Sequence, residues 1–133
     1  MAKFPLLHLR VMLTSDTMLG PGKADLLLGI CETGSIAAAG RRMRMSYKRA
    51  WYLIDTMNAY FREPLVTATK GGKAGGGAQL TATGRAVLEC YRRIEAKAAR
   101  ATARDLETLT ALAASQLRLT RPNDGRPHGR RSG

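Results

Sequence analysis

The sequence of 133 residues predicts a mainly α-helical domain that carries one small β-hairpin and continues into a long C-terminal helix. Two observations predict the domain: apolar residues recur at intervals of three and four in short segments, and branched residues flank a glycine-rich stretch. A third observation predicts the long helix, because the helical spacing from residue 83 continues beyond what so small a domain can cover. We therefore divide the chain into a domain at 1–82, an amphipathic helix at 83–118 and a basic tail at 119–133. The tail is rich in Pro, Gly and Arg and is predicted to be disordered.

The sequence of the N-terminal part of the domain predicts one strand and one helix. Leu7–Thr14 alternates loosely and is rich in branched residues, which is typical of a short strand. A helix is predicted from Lys23 to a stop near Gly34. Its apolar stripe comprises Ala24, Leu27, Leu28 and Cys31.

Two further short helices follow with a tight junction between them. Ser35 is the expected N-cap of the second helix, and Ser46 is the expected N-cap of a third that runs from Tyr47 to about Phe61. The junction around Arg44 and Met45 is only a few residues long. Two short amphipathic helices so connected are typical of a helix-turn-helix.

A hairpin is predicted after Pro64. Strands at 65–69 and 78–80 enclose eight residues at 70–77, of which five are glycine and two are lysine. In a helix-turn-helix protein such a hairpin is called a wing, so the predicted fold is a winged helix-turn-helix.

The last helix is predicted from Thr83 to about Leu117, with an apolar seam whose phase slips near residue 101. A helix approaching 50 Å, at ~1.5 Å per residue, needs a partner surface. The residues expected to form a homodimer are Val87, Tyr91, Ile94, Leu106 and Leu109.

Charge indicates the kind of partner. The chain has 22 basic and 10 acidic residues, a net charge of +12, which favours nucleic acid. Half of that excess lies between Ser35 and Gly77. With Ala50 facing the core, Lys48 and Tyr52 point away from it, Arg49 flanks them, and Tyr47 lies in the first turn, where a recognition helix meets base edges.

Other classes of function are disfavoured. No apolar stretch is long enough to span a membrane, and the start lacks the apolar segment of a signal peptide. Cys31 and Cys90 do not have the spacing of a zinc site and are expected to be buried thiols in a reducing cytosol. The glycine run matches no phosphate-binding loop. We expect no enzyme activity, no cofactor, no metal and no membrane contact, and a cytoplasmic location.

Several motifs resemble the DNA-binding domain of ModE-type molybdate-responsive regulators, which are LysR-like winged helix-turn-helix proteins. They are GSIAAA at 34–39, MSYKRAW at 45–51, MN at 57–58, TKGGKAGGGA at 69–78, LT at 80–81 and Gly84. The likeness covers roughly residues 22–94. The helical block and the wing together are specific, whereas either alone is only suggestive.

The resemblance implies a dimeric, sequence-specific transcription factor for genes of molybdate transport or molybdenum enzymes. It implies that residues 46–49 begin the recognition helix and that Lys70 and Lys73 serve the wing. The residues expected to contact double-stranded DNA are Ser35, Arg41, Arg42, Ser46, Tyr47, Lys48, Arg49, Tyr52, Lys70 and Lys73. Full-length members also carry C-terminal domains that bind molybdate. After Ile94 this sequence has no β pattern, so molybdate is not expected to bind this chain alone.

Two alternatives remain open at this point. A non-specific architectural protein that coats nucleic acid would also have a basic tail and a cationic wing. An adaptor would use the long helix to pair with a full-length sensor. A specificity ratio near one would favour the first alternative, and heterodimers with weak DNA binding would favour the second.

Overall fold

The computed structural model describes residues 4–69 and 77–113. The predicted wing lysines, Lys70 and Lys73, and the tail at 119–133 lie outside the described residues. The described chain divides into two units, Leu7–Ala99 and the ranges 4–6 and 100–113. The elements are β1 (Val11–Met12), β2 (Met18–Leu19), α1 (Pro21–Thr33), α2 (Ile36–Arg42), α3 (Tyr47–Tyr60), β3 (Val66–Thr69), β4 (Gly77–Leu80), α4 (Ala82–Ala101) and α5 (Ala103–Leu112).

The predicted N-caps of α2 and α3 and the predicted stop of α1 at Gly34 are confirmed, whereas α1 begins at Pro21, two residues before the predicted start at Lys23. The Ser35 hydroxyl accepts a hydrogen bond from the Ala38 amide at 3.0 Å, and Ser46 accepts one from the Arg49 amide at 3.0 Å. Gly34 ends α1 in the left-handed conformation, with φ of 72°. Glycine adopts this conformation without the steric cost that a Cβ brings.

The turn between α2 and α3 closes by a double hydrogen bond. The Arg44 amide donates to the Arg41 carbonyl and the Met45 amide donates to the Gly40 carbonyl, each at 3.0 Å. This is the Schellman arrangement. Arg44 has a φ of 59°, so an arginine occupies the left-handed position where glycine is usual. The turn is therefore held by its hydrogen bonds and by the packing of the two helices.

The core of the first unit lies between α1, α2, α3 and the β3–β4 hairpin. The fully buried side chains are Ala24, Leu26, Leu27, Ile30, Ala39, Ala50, Ile54, Leu65 and Tyr91, with Met57 almost completely buried. The predicted inner faces of α1 and α3 are thus confirmed at most positions. Both cysteines are exposed, so the expectation of buried thiols is wrong. Cys31 is exposed on α1, where its sulfur accepts a hydrogen bond from the Arg85 guanidinium of α4 at 3.6 Å.

The hairpin after α3 has the predicted strands. Val66 pairs with Leu80 and Thr69 with Gly77 in an antiparallel register. Asn58, near the end of α3, fixes the start of β3, because its Oδ1 accepts hydrogen bonds from the amides of Leu65 and Val66 and its Nδ2 donates to the Val66 carbonyl. The observed architecture is a winged helix-turn-helix.

The N-terminal strand prediction requires a correction. Only Val11–Met12 of the predicted strand is extended, and it pairs with Met18–Leu19, a strand that sequence reasoning missed. A polar turn joins them, in which Thr14 accepts hydrogen bonds from the amides of Asp16 and Thr17. The sequence gives little local sign of this turn, because residues 13–17 contain neither Gly nor Pro.

The single long helix predicted for Thr83–Leu117 is also corrected. Helix α4 ends at Ala101 and α5 begins at Ala103, with Thr102 at φ −106° and ψ 5° between them. The break coincides with the place where the apolar phase slips. Residues beyond 113 lie outside the described range. None of the helices in the described parts of the chain is long and apolar enough to cross a membrane.

Candidate nucleic-acid interface

Helix α3 has a buried side and a charged, aromatic side. Ala50 and Ile54 are fully buried, whereas Lys48 and Arg49 are exposed. The Tyr52 side chain is 61 % exposed. The predicted geometry is therefore present, with the first two turns of α3 presenting donors and an aromatic ring to solvent.

Aromatic packing orders the first turn of α3. The Tyr47 ring meets the Trp51 ring edge to face, with centroids 6.4 Å apart and planes at 85°. Trp51 is partly buried and packs against the core. Tyr47 remains 57 % exposed. The contact with Trp51 therefore restrains the Tyr47 ring, and its hydroxyl lies beside the exposed face of the helix.

One flank of α3 faces the wing across a small pocket of about 180 Å³. Tyr47 and Trp51 form its α3 side, Ser35 lies at the start of α2, and Thr69 and Gly77 are the ends of the two wing strands. The wing is anchored here because the Ala78 amide donates to the Gly34 carbonyl at 2.9 Å. The fold thus brings together the predicted residues Ser35 and Tyr47 and the base of the wing.

The other flank of α3 carries a second pocket, of about 270 Å³. Its basic residues are Arg10 from the N-terminal hairpin, Lys23 from α1 and Arg49 from α3. Burial and then repulsion from Arg49 lower the pKa of Lys23. Sequence reasoning selected Arg49 and missed the other two. No local pattern links them, because they are 26 and 39 positions from Arg49 in the chain.

The two arginines predicted at the end of α2 differ in their surroundings. Arg41 is exposed. The Arg42 guanidinium lies 2.7 Å from a carboxylate oxygen of Glu32 on α1, and both side chains are about half exposed. Arg42 is therefore engaged in an ion pair that links α1 to α2.

The predicted dimer residues fall into two groups. Tyr91 is fully buried within its own chain, and its hydroxyl donates to the Leu9 carbonyl at 2.7 Å. Burial is the main cause that raises its pKa. Val87 is partly buried against the core. The assignment of Tyr91 to a dimer surface is corrected, because the side chain is fully buried within its own chain.

Exposed apolar residues remain further along the C-terminal helices. Ile94 is 39 % exposed and Leu109 is 64 % exposed, while Leu106 is half-buried. Leu112, which the sequence analysis did not select, is more exposed than Ile94 and Leu109. Among the described residues no cluster of His, Cys, Asp and Glu could hold a metal ion.

Comparison with known proteins finds similar proteins for the region that contains this interface. Residues 23–85 match the family of bacterial regulatory helix-turn-helix proteins of the lysR type. The chain is 43 % identical over 90 residues to the molybdenum-pterin-binding protein MopB of Rhodobacter capsulatus, covering 68 % of this chain and 33 % of MopB. It is 44 % identical over 88 residues to the molybdenum transport protein ModE of Azotobacter vinelandii, covering 65 % of this chain and 33 % of that protein.

A solved structure agrees with the fold. The crystal structure of the CbnR DNA-binding domain in complex with DNA matches with a TM-score of 0.52 and 26 % sequence identity, covering 65 % of this chain and 94 % of that one. The present chain spans about a third of the length of the two molybdenum-related proteins. The range that the family model matches, residues 23–85, contains most of α1, all of α2 and α3, and the strands β3 and β4.

Proposed function

We propose that this chain is a sequence-specific DNA-binding transcriptional regulator. Residues 23–85 match the lysR-type helix-turn-helix family, and the chain is similar to a ModE protein, which supports the proposal. The observation that carries the proposal is the division of α3 into a buried apolar side and an exposed side with Lys48 and Tyr52. An α-helix of this kind fits the major groove of B-DNA. The controlled genes are those of molybdate transport or of molybdenum enzymes, which the names of the relatives support.

Most of the residues expected to contact DNA have a role that follows from their chemistry. Lys48, at the centre of the exposed side, donates to guanine O6 and N7. Arg49 and Tyr47, on the two flanks, contact phosphates or base edges. Ser46 and Ser35 cap their helices and thereby set the direction in which α3 and α2 meet the duplex. Arg41, Lys70 and Lys73 add attraction to the DNA backbone, and Arg42 adds less because it pairs with Glu32.

The regulator acts as a homodimer in the cytoplasm. Ile94, Leu106 and Leu109 are apolar and at least partly exposed, and covering such residues with a second copy removes apolar surface from water. Two recognition helices related by two-fold symmetry read half-sites about 34 Å apart or a multiple of that distance. We assign this chain no catalytic activity and no molybdate binding of its own.

The proposal is tested by binding measurements on duplexes selected from a randomised DNA pool. Lys48→Ala should weaken binding to the selected duplex by roughly tenfold to a hundredfold, since a good base contact contributes about 1–3 kcal/mol of discrimination. Binding to a random duplex should change much less. Arg62→Ala, which removes one exposed charge from the loop after α3, is the control and should leave the preference unchanged.

Two results would contradict the proposal. A wild-type chain that binds all duplexes equally would be a non-specific coating protein. A wild-type chain that binds no duplex at low salt but copurifies with a longer regulator would be an adaptor.

A further inference from the structure

We propose that the pocket between the N-terminal hairpin, the start of α1 and α3 binds a phosphate group, supplied by the DNA strand that runs beside α3. The proposal rests on the proposed DNA-binding function for the source of the phosphate. The pocket holds about 270 Å³ and is lined by Arg10, Lys23 and Arg49, together with Met18, Leu53 and neighbouring residues. It would add a backbone contact on the side of the recognition helix opposite to the wing.

The charge of the pocket is unbalanced. None of the described residues that line it is acidic. In the described parts of the chain, none of its three basic residues forms an ion pair, whereas Arg42 and Arg92 both do. Like charges gathered in one place repel each other. An anion placed among them removes that repulsion, so the arrangement favours an anionic occupant.

Lys23 is held in place for this role. Its Nζ donates to the Met18 carbonyl at 2.8 Å, a contact that links α1 to the N-terminal hairpin. Its remaining N–H groups have no described partner with a negative charge, and the ammonium is partly desolvated. A partly desolvated ammonium attracts an anion more strongly than a fully hydrated one, because the effective dielectric constant is lower.

The position of the pocket indicates what kind of anion reaches it. Successive residues of an α-helix are separated by about 100°, so Lys48 and Tyr52 share the central side of α3. Tyr47 and Trp51 lie on one flank, next to the wing pocket. Arg49 and Leu53 lie on the other flank and line the basic pocket.

This arrangement matches the dimensions of DNA. The major groove is about 12 Å wide and a helix with its side chains is about 10–12 Å across. When α3 occupies the groove, a sugar–phosphate strand therefore runs along each flank. The wing pocket meets one strand, and the basic pocket meets the other.

Substitution of Gly22 tests the phosphate site by adding a negative charge to the pocket, without removing any existing contact. A Cβ added at this position meets no atom within 4 Å, and residue 22 lines the pocket. Gly22→Glu places a carboxylate among the three cations, and an acidic residue in the first turn of a helix is itself stabilising. Gly22→Gln has the same size without the charge and is the matched control.

The measurement is the salt dependence of affinity between about 50 and 200 mM salt, where each lost phosphate contact reduces the slope of log K against log salt by about 0.9. Relative to Gly22→Gln, Gly22→Glu should lower the slope by about that amount and weaken selected and random duplexes alike, by roughly fivefold to tenfold at low salt. Its melting temperature should not fall. Arg10→Ala should lower the slope similarly while leaving the bond from Lys23 to Met18 intact.

A second arm titrates each protein with inorganic phosphate alone and follows the amide resonances of positions 22 and 23. Saturable shifts in Gly22→Gln that disappear in Gly22→Glu would support the site even if DNA affinity is unchanged, with a free anion as the source. If Gly22→Glu and Gly22→Gln have equal salt slopes and phosphate shifts neither amide, the inference is wrong and the proposed function stands. If the wild-type chain binds no duplex, the proposed function fails and the phosphate titration alone decides the inference.

Discussion

The first ten residues of α4 and the whole of α5 have similar apolar spacing but differ in what covers their apolar residues. In α4, Leu88 and Tyr91 are buried against the domain that precedes them. In α5 no residue is buried in the described structure, and Leu109 is largely exposed. The difference shows that an apolar stripe on a helix predicts that a surface will be covered, but does not predict by what.

The largest effect on stability is expected from Gly84→Ala, at the start of α4, which tests how closely α4 packs against the preceding domain. A Cβ at residue 84 would lie 2.1 Å from the Leu65 carbonyl oxygen, so α4 must move away from β3 to accept it. We expect a loss of about 3–4 kcal/mol in the free energy of unfolding, measured by urea denaturation. Gly22→Ala, at an open position, should change stability by less than about 1 kcal/mol. Equal effects of the two substitutions would mean that α4 is not held closely against Leu65.

The same substitution in the two helices compares them directly. Leu88→Ala should cost about 2–3 kcal/mol, because it removes a buried side chain and leaves a cavity. Leu109→Ala should change the unfolding free energy by less than about 0.5 kcal/mol at high dilution. It should instead weaken self-association, which sedimentation over a range of protein concentrations measures. A large loss of monomer stability in Leu109→Ala would contradict this expectation, because it would show that Leu109 packs within its own chain.

A smaller effect is expected where α3 holds the wing, a contact with no counterpart in α5. Asn58→Ala removes three hydrogen bonds to the backbone of β3 and leaves the buried amide of Leu65 without its acceptor. We expect a cost of about 2 kcal/mol and faster hydrogen exchange at Leu65 and Val66. Thr56→Ala, which removes an exposed bond to the Tyr52 carbonyl, should cost much less. Unchanged exchange at both amides would refute the role given to Asn58.

The smallest effect concerns Tyr91 and depends on pH. Burial raises its pKa above the ordinary value of 10.0, so the folded state keeps the phenol neutral at a pH where the unfolded state ionises it. Its contribution to stability is therefore complete below about pH 10 and is lost as the pH rises from there to the raised value. Tyr91→Phe should cost about 1 kcal/mol at neutral pH through the lost bond to Leu9. It should also reduce the fall in stability at alkaline pH, and an unaltered alkaline profile would argue against burial as the cause.

Short-range patterns predicted most of the first unit of the fold. The caps at Ser35 and Ser46, the glycine stop at Gly34 and the inner residues of α3 each depend on neighbours within four positions. The exposed side of α3 could be predicted for the same reason, because helical geometry places Lys48 opposite the core once the buried residues are known. The wing strands were also predicted, because glycine and branched residues mark hairpins locally.

Long-range contacts account for what was missed. The bond from Tyr91 to Leu9 joins residues 82 positions apart, and no spacing rule applies over that distance. The same holds for the basic pocket, where Arg10 and Lys23 meet Arg49 only after the N-terminal hairpin and α1 have packed beside α3.

By itself, the sequence of this protein determined which segments are helical and where most of them begin and end. It also predicted that a cationic helix-turn-helix favours a polyanion as its partner. These properties follow from local backbone preferences and from charge, which need no knowledge of the packing. The tertiary structure alone decided that Tyr91 is buried and bonded to Leu9, that Leu109 and Leu112 of α5 are exposed, and that three distant basic residues share one pocket. Those outcomes depend on tertiary contacts between residues that are distant in the sequence, and the packing of the whole domain determines which of these contacts form.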